Sequence, residues 1–394
     1  MQLSRTLWTI LALCTLSAAL QGQNAALSPR ANLSSHEGGA PQPLRVAIVG
    51  LEHGHVEGFL RMLSQHPEVQ LVGISDADSD LVAKYRSRFH LADSLFFKTE
   101  AEMIEARRPA AVLVYTSIAQ HRPAIDIAAK SGVSVMVEKP LTLSYEDALH
   151  IQGVAKRAHI QVLTNYETTW YGSNHAAYDE LERGALGPLR KLVIHDGHQG
   201  PKEIGVPPEF LSWLTDPAQN GAGALYDFGC YGADLATWLM HGELPVSVTA
   251  VLNHDKPEEY RGVDDDATVI LKYPHAQAVL MPSWNWPFTR KDMEVYGATG
   301  YVITVESAGL RVRHEHDSSE HLESAAELPV MERDSLSYLA AVIAGKIDPK
   351  DDLSSLETNV KVVQILDAAR QSARTGQPVR LRQCSALHGG EADK

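Results

Sequence analysis

Short apolar runs alternate with helical patterns over the first regular part of the chain, from residue 44 to about residue 165. A β-branched run at 45–49 ends at Gly50, and apolar residues at helical spacing follow it as far as Pro67. The same strand and helix signals recur at 70–75, 78–89, 110–115, 123–131 and 133–137. Strands that alternate with helices of this length favour right-handed crossovers. We therefore predict an α/β unit with a doubly wound parallel sheet over residues 44–165.

The second half of the chain has a different pattern. Strand signals follow one another with few helices between them, at 189–195, 246–252, 267–273, 277–281 and 293–296. This succession predicts an open, mainly antiparallel sheet in an α+β unit over residues 166–383. A closing helix is predicted over 354–372, packing back towards the first unit, and residues 384–394 are expected to be a tail. Because an uncovered apolar sheet face is rare in a monomer, we expect a homo-oligomer formed through this sheet.

The first 22 residues have the layout of a signal peptide. Arg5 precedes an apolar run from Leu7 to Leu20, and small residues stand at the end of that run. Turn-forming residues without a period follow at 23–43, which predicts a flexible tether. There is no twin-arginine motif, so we expect export unfolded to a periplasmic or extracellular location, with no membrane span after cleavage.

Composition excludes several classes of protein. The formal charge of −14 argues against a nucleic-acid partner, because the phosphate backbone would be repelled. Three widely spaced cysteines offer neither a disulfide framework nor a zinc knuckle. His53-x-His55 and His195-x-x-His198 with Asp196 have metal-ligand types, but the sequence places no third ligand beside either pair. We therefore expect no metal, and histidines that are solvated or in contact with substrate.

The turn after the first predicted strand is an incomplete dinucleotide fingerprint. That fingerprint wants G-x-G-x-x-G, whereas residues 50–55 keep the first glycine, carry Glu52 at the second place and have Gly54 one position early. A carboxylate directed at a pyrophosphate would repel it. Either the turn is re-routed so that Gly54 and the helix N-terminus supply amide donors, or affinity for the cofactor is reduced; Gly50 could also simply end a strand. The candidate cofactor contacts in this turn are Gly50, Glu52, His53, Gly54 and His55.

Asp76 is the candidate ribose-binding acid. It stands 26 positions after Gly50, at the end of the second predicted strand, where a carboxylate accepts hydrogen bonds from the adenosine ribose. The same carboxylate would repel a 2′-phosphate, and no Lys or Arg follows it before Lys84. We therefore expect NAD rather than NADP. The alternative is that Asp76 only caps the following helix.

Two further motifs complete a family resemblance. Thr116 with His121, then Val135-Met136-Val137-Glu138-Lys139-Pro140, then the segment from Gly221 to Tyr231, resemble in order and spacing the Gfo/Idh/MocA oxidoreductases, a group that includes glucose-fructose oxidoreductase and inositol dehydrogenase. The likeness extends from about residue 44 to residue 381. It implies an N-terminal Rossmann domain that binds NAD and a C-terminal open-sheet domain that binds substrate. It also implies that Thr116, His121, Glu138 and Lys139 contact the cofactor.

The resemblance assigns the chemistry to Lys139, Asp227 and Tyr231. In the family the lysine and an acid–base residue of the second motif position the substrate alcohol, whose carbon passes hydride to the nicotinamide. Many members carry His where this chain has Tyr231. Residues four apart share a helix face, so Asp227 and Tyr231 can reach the same crevice. We expect burial and a cationic nicotinamide to lower the pKa of Lys139.

Alternatives stay open for these residues. Lys139 could be a surface lysine in a turn, and Tyr231 a core tyrosine with a satisfied hydroxyl. Trp170 and His198 are candidate substrate contacts, although aromatic core packing explains the tryptophan as well. Together the residues predict an NAD-dependent oxidoreductase acting on a CH–OH group of a sugar, cyclitol or related polyol. The competing hypotheses are a non-catalytic sugar or nucleotide sensor on the same scaffold, and a glycosidase that uses NAD for transient oxidation.

Overall fold

A computed structural model of the protein describes residues 42–381, and every structural statement below refers to that part of the chain. The predicted signal peptide, nearly all of the predicted tether and the tail lie outside the described residues. Within residues 42–381, no helix has both the length and the apolar character needed to cross a membrane.

The first unit is built on a parallel sheet of six strands, as the strand and helix pattern predicts. Its strands are β1 (Leu44–Val49), β2 (Val69–Ser75), β3 (Phe96–Phe97), β4 (Ala111–Val114), β5 (Ser134–Glu138) and β6 (Val162–Asn165). The helices are α1 (Val56–Met62), α2 (Ser79–Phe89), α3 (Glu100–Arg107), α4 (Ile118–Lys130) and α5 (Tyr145–Ala158). The strand order β3-β2-β1-β4-β5-β6 reverses direction between β1 and β4, and the doubly wound fold is confirmed.

Helix α4 begins five residues before the predicted start at Pro123. Proline favours the first position of a helix, which is why the sequence predicts a start at Pro123. In the structure Pro123 lies in the second turn of α4. Ile118 and His121, in the turn before it, are both buried. Burial of this additional turn offsets the hydrogen bond that proline cannot donate.

The second unit contains a sheet of nine strands. They are β7 (Leu189–Gly197), β8 (Ser247–Asn253), β9 (Asp266–Lys272), β10 (Gln277–Ser283), β11 (Arg290–Gly297), β12 (Tyr301–Val305), β13 (Gly309–Arg313), β14 (His321–Ser324) and β15 (Val379–Arg380). The order is β14-β13-β12-β11-β7-β10-β9-β8-β15, with β7 and β10 parallel and the other pairs antiparallel. The predicted open, mainly antiparallel sheet is confirmed. The accompanying helices are α6 (Gly172–Glu182), α7 (Pro208–Leu214), α8 (Pro217–Asn220), α9 (Ala224–Asp227), α10 (Gly229–Leu239), α11 (Ser335–Ile343) and α12 (Leu356–Thr375).

Helix α12 contributes to two separate apolar cores. Val360 and Val363 pack in a cluster with β4, β5 and α5 on one face of the parallel sheet. Ile365 and Leu366 belong to a second cluster, which lies between the antiparallel sheet and α10. The helix starts at Ser355, whose hydroxyl accepts the Thr358 N–H, and it is followed by Gly376 in a left-handed conformation. A third cluster covers the other face of the parallel sheet and includes residues of α11.

Candidate active site

The turn between β1 and α1 passes close to the end of β4. Gly50 has a φ of +82°, and a Cβ on this residue would lie 2.5 Å from Thr116 Cγ2. The N–H of Gly50 donates to Ser75 O at 2.9 Å, and the N–H of His53 donates to Tyr115 O at 3.1 Å. The backbone therefore fits only glycine at position 50, and the turn is tied to both neighbouring strands.

Glu52, which replaces the second glycine of the fingerprint, is directed at the start of α4. Its Oε1 accepts the N–H of Ser117 at 2.5 Å, and Ser117 is the N-cap residue of α4 with no side-chain capping bond of its own. The positive end of the helix dipole thus stabilises this carboxylate. Burial raises the pKa of Glu52, the Ser117 bond opposes that rise, and Asp76 adds to it. The acid is thus held by the protein at the start of α4.

Asp76 and Glu52 line one cleft of about 270 Å³, together with Gly50 and Thr116. Both oxygens of Asp76 accept backbone hydrogen bonds, Oδ2 from Leu51 N and Oδ1 from Asp78 N, each at 2.7 Å. Asp76 therefore stabilises the two backbone turns around it. The N-cap residue of α2 is Asp78, not Asp76. Lys98, which lies 22 positions further along the chain, lines the same cleft.

Lys139, directly after β5, is buried in an ion pair. Its Nζ donates to Asp227 Oδ1 at 2.5 Å and to Asp227 O at 2.9 Å, and the two side chains are 5% and 6% exposed. The other carboxylate oxygen, Oδ2, accepts the indole N–H of Trp284 at 2.9 Å. Lys139 is thus not a surface lysine, and the buried Trp284 is a positioning group for Asp227.

The ion pair determines the protonation of Lys139. Burial alone would lower the pKa of this lysine, but the charge and hydrogen bond of Asp227, together with Cys230 and Glu138, outweigh burial and the pKa is raised. Burial likewise would raise the pKa of Asp227, but Lys139 outweighs it and the pKa is lowered. The expectation of a lowered lysine pKa is therefore wrong in this structure, because sequence reasoning counted burial and overlooked the partner carboxylate.

The Lys139–Asp227 pair lines a cavity of about 280 Å³. Tyr231 lines the same cavity, as do His55, His198 and Lys291. The Tyr231 ring lies 5.3 Å from Lys139 Nζ and 5.0 Å from Lys291 Nζ. Burial raises the pKa of the phenol well above its ordinary value. Tyr231 is thus a neutral donor between two cations, and it contacts the lysine through its ring face.

The remaining predicted residues lie around this cavity at different depths. Burial lowers the pKa of His198, whose Nδ1 accepts the N–H of Gly200 at 2.9 Å. Trp170 lies in an adjoining cavity of about 340 Å³, where its indole N–H donates to Asn165. His121 is fully buried beneath the Glu-Lys-Pro turn, with Nδ1 3.1 Å from Pro140 O, and burial lowers its pKa to about 4.

Glu138 lines the cavity that contains Trp170 and contacts His55, which lines both cavities. Its Oε1 accepts the side-chain N–H of Asn165 at 3.0 Å, and its Oε2 lies 2.9 Å from His55 Nδ1. His55 lines both cavities, whereas His53 is buried behind it against Phe210 and Trp213 of α7. The topology therefore brings Glu138 to the His-x-His pair for which the sequence offered no third partner.

Helix α7, which belongs to the second unit, packs over the turn between β1 and α1. A Cβ on Gly54 would lie 3.0 Å from Phe210 Cδ1, and the indole N–H of Trp213 donates to Glu52 O at 3.4 Å. Lys84 of α2 pairs with Glu209 of the same helix at 2.5 Å. Residues from both halves of the chain thus form the site.

Comparison with protein families identifies this arrangement. The NAD-binding Rossmann-fold model of the GFO/IDH/MocA oxidoreductases matches residues 44–166, and the model of the GFO/IDH/MocA C-terminal domain matches residues 175–303. The chain belongs to the Gfo/Idh/MocA family of oxidoreductases. Two adjacent models in the expected order confirm the resemblance carried by the Glu-Lys-Pro and Gly221–Tyr231 motifs.

Curated relatives of this Gfo/Idh/MocA protein are distant. A dTDP-3,4-didehydro-2,6-dideoxy-alpha-D-glucose 3-reductase of Saccharopolyspora spinosa is 24% identical over 264 residues, covering 66% of this chain and 74% of the relative. A trans-1,2-dihydrobenzene-1,2-diol dehydrogenase of Mus musculus is 24% identical over 239 residues, covering 59% and 66%. A 1,5-anhydro-D-fructose reductase of Ensifer adhaerens is 25% identical, and the alignment spans 56% of its length.

Solved structures with the same fold cover most of the chain. The aldose-aldose oxidoreductase of Caulobacter crescentus complexed with glycerol has a TM-score of 0.74 at 23% identity, covering 86% of this chain and all of that one. An inositol dehydrogenase homolog of Azotobacter vinelandii complexed with NAD+ has a TM-score of 0.74 at 18% identity, covering 86% and 98%. At these identities the likeness establishes the fold.

Two residues of the site were missed by sequence reasoning. Lys291, on β11, is 13% exposed and pairs with Glu167 beside the Tyr231 ring. Trp284 follows β10 and holds Asp227. No sequence motif marks either Lys291 or Trp284. Neither partnership is visible until β10 and β11 are placed next to β7.

Proposed function

We propose that the protein transfers hydride between a CH–OH group of a sugar, cyclitol or related polyol and the nicotinamide of NAD. The observation that carries the proposal is the buried Lys139–Asp227 pair, which opens on the same cavity as Tyr231 and His198. A cationic donor and a neutral phenol in one small cavity suit a hydroxyl or carbonyl oxygen. The names of the curated relatives, two sugar reductases and a diol dehydrogenase, support this substrate class.

NAD fits the cleft at the end of β1 and β2. Gly50 provides the close backbone approach, since any Cβ there would collide with Thr116. The carboxylate of Asp76 suits ribose hydroxyls, and the charges of Asp76 and Glu52 oppose a 2′-phosphate, although Lys98 at the same cleft partly offsets that charge. We assign cofactor binding to Gly50, Gly54, His55, Asp76, Thr116 and Glu138, with Glu52, His53 and His121 supporting the turns rather than touching the cofactor.

The chain's own residues hold and move the proton. When bound, the nicotinamide supplies or accepts the hydride. In carbonyl reduction, the Lys139 ammonium and the Tyr231 phenol are donors already carrying protons, and either can protonate the substrate oxygen. In alcohol oxidation, Lys139 must first lose its proton, which its pairing with Asp227 disfavours. His198 contributes a neutral imidazole to the same cavity, and Trp170 lines its neighbour.

The direct test is a screen of purified protein against a panel of sugars, cyclitols and polyols, with the matching ketones and aldehydes in the reverse direction. Nicotinamide absorbance reports turnover, and Lys139→Met is the control. Turnover by the parent and a loss of about 100-fold or more in the variant are expected. Cofactor binding without turnover on any compound would favour the sensor hypothesis. Cleavage of aryl glycosides without added cofactor would favour the glycosidase hypothesis.

Three further proposals concern the whole protein. Residues 166–383 are assigned to substrate binding, with α12 returning to the first unit. Export through a signal peptide at 1–22 rests on the apolar run from Leu7 to Leu20. Homo-oligomerisation through the antiparallel sheet rests on its outer face, where Val251 is 61% and Val305 42% exposed. Native mass spectrometry gives the oligomeric state, and a monomer at all concentrations would contradict the last proposal.

A further inference from the structure

A group of three metal-ligating side chains lies beside the Lys139–Asp227 pair. His53, His55 and Glu138 place one ligand atom each within 4.8 Å of one another. The histidines belong to the turn after β1, and Glu138 is the last residue of β5. We propose that these three side chains bind one divalent transition metal ion, Zn²⁺ by ligand type, at the boundary between the two cavities. Two imidazoles and a carboxylate form a ligand set used by catalytic zinc sites.

His53 has the properties of a ligand without its metal. The residue is 1% exposed, and its Nε2 has no hydrogen-bond partner among the described residues. A buried polar atom without a partner is costly, and bound metal at this imidazole would compensate that cost. A neutral imidazole has a single lone pair, and His53 Nδ1 lies 3.2 Å from the N–H of His55, so metal binding at Nε2 requires the tautomer protonated on Nδ1 and the loss of that contact. The ring is held in place by Phe210 at 4.4 Å between centroids.

Glu138 is prepared as the anionic ligand. It is 2% exposed, with Oε2 2.9 Å from His55 Nδ1 and Oε1 3.0 Å from Asn165 Nδ2. Asn165 donates to Oε1, and Trp170 donates in turn to Asn165 Oδ1. These outer contacts orient the carboxylate and leave Oε2 towards His55, which is the arrangement that supports metal ligands in proteins.

The distances suit a small ion. Ligand atoms bonded at about 2.0–2.2 Å to one metal lie at most about 4.4 Å apart, so the 2.9 Å between His55 Nδ1 and Glu138 Oε2 already fits. The three ligand atoms lie within 4.8 Å of one another, and binding one tetrahedral ion requires them to approach to about 3.5 Å. The nearby charge of Lys139 is neutralised by Asp227, so it does not exclude a cation. Three protein ligands leave a coordination position, and His55 lines both cavities, so a substrate oxygen can occupy that position.

The test measures metal binding without cofactor or substrate, so its result is independent of the proposed reaction. Chelator-treated full chain is titrated with Zn²⁺ by calorimetry, and with Co²⁺ while the visible absorption is recorded. The variants are His55→Gln, at a half-exposed position that tolerates change, and Glu138→Gln, which keeps the side-chain shape. The control is His150→Gln, since His150 forms a similar pair with Asp126 at 2.8 Å, away from the site.

We expect one Zn²⁺ per chain in the parent and in the control, and a Co²⁺ spectrum of low coordination number. Affinity should fall by at least about 100-fold in each of the other two variants. Circular dichroism confirms that the variants are folded. No binding by the parent, or the same affinity in His55→Gln and Glu138→Gln as in the parent, would overturn the proposal.

Discussion

Replacing Asp227 with Asn separates the proton chemistry of Lys139 from its burial. The carboxylate accepts two charged or polar donors, Lys139 Nζ at 2.5 Å and Trp284 Nε1 at 2.9 Å. An amide at this position has one acceptor oxygen, so either the lysine or the indole loses its partner. Breaking a buried ion pair by removing one partner costs about 3–5 kcal/mol of unfolding free energy. Against a total of about 5–15 kcal/mol for a folded protein, the variant should remain folded but be measurably weaker.

The shift in the pKa of Lys139 should reverse direction in this variant, from raised to lowered relative to the ordinary value of a lysine. Burial is the largest influence on this lysine and lowers its pKa, and the charge and hydrogen bond of Asp227 supply most of the opposing effect, with smaller contributions from Cys230 and Glu138. In Asp227→Asn the amine should therefore lose its proton at a lower pH than in the parent. Alcohol oxidation, which needs the deprotonated amine, should reach its plateau at lower pH. Carbonyl reduction, which needs the ammonium, should lose activity as the pH rises from the acidic side.

The stability difference has a defined pH window. The raised pKa of Lys139 stabilises the fold below about pH 10.4, and this contribution is lost as the pH rises through the folded-state value. The lowered pKa of Asp227 stabilises it above about pH 3.9, and this contribution is lost as the pH falls through the folded-state value. The difference between the parent and the variant should therefore be largest towards the acidic end of this window, and it should narrow as the pH rises through the lowered pKa of Lys139 in the variant.

Urea unfolding and initial rates from pH 5 to pH 10 are the two assays. The double variant Lys139→Met with Asp227→Asn is the control, because removing both charges should restore most of the stability without restoring activity. An oxidation profile that is unchanged in Asp227→Asn would refute the role given to Lys139. Equal stability of the parent and the single variant would refute the ion pair.

Three other predictions can be checked with single measurements. Tyr231→Phe keeps the ring against Lys139 and Lys291 but removes the hydroxyl, so turnover should fall by roughly 100- to 10,000-fold while NAD binding survives. Near-normal turnover would show that another group, such as His198, transfers the proton. Asp76→Ser should weaken NAD by about 1–3 kcal/mol and improve NADP relative to it, measured as dissociation constants; unchanged values for both would leave Asp76 a turn-forming residue. Export predicts that the mature protein begins between residues 20 and 26, and N-terminal sequencing that recovers Met1 would contradict it.

The sequence was sufficient for the architecture because the signals there are local and periodic. Apolar strands separated by helices predict the parallel sheet, and the Glu-Lys-Pro turn follows directly from the end of β5. Partnerships across the chain were harder to predict. Glu52 looked like a hindrance to a phosphate because nothing in the sequence places Ser117 beside it, 65 positions later. The sign of the Lys139 pKa depends on Asp227, 88 positions away, and on the distance between the two side chains.

The histidines illustrate the same limit. His53-x-His55 was set aside because two ligands two positions apart do not make a site on their own. Glu138 is 83 positions from His55, and the Glu-Lys-Pro motif marks it as a cofactor contact rather than as a metal ligand. Only the parallel arrangement of β1, β4 and β5 brings the end of β5 to the turn after β1. Short spacing rules therefore underestimate sites that are assembled at the end of a sheet.

The double membership of α12 limits how far the two halves of this enzyme are modular. Val360 and Val363 complete one core, and Ile365 and Leu366 complete the other, on a single rigid rod. Unfolding of either half would strip the helix of part of its burial, so both should melt in one cooperative transition. A recombination that exchanges the second half between relatives would have to carry α12 with it and then match the recipient's parallel sheet.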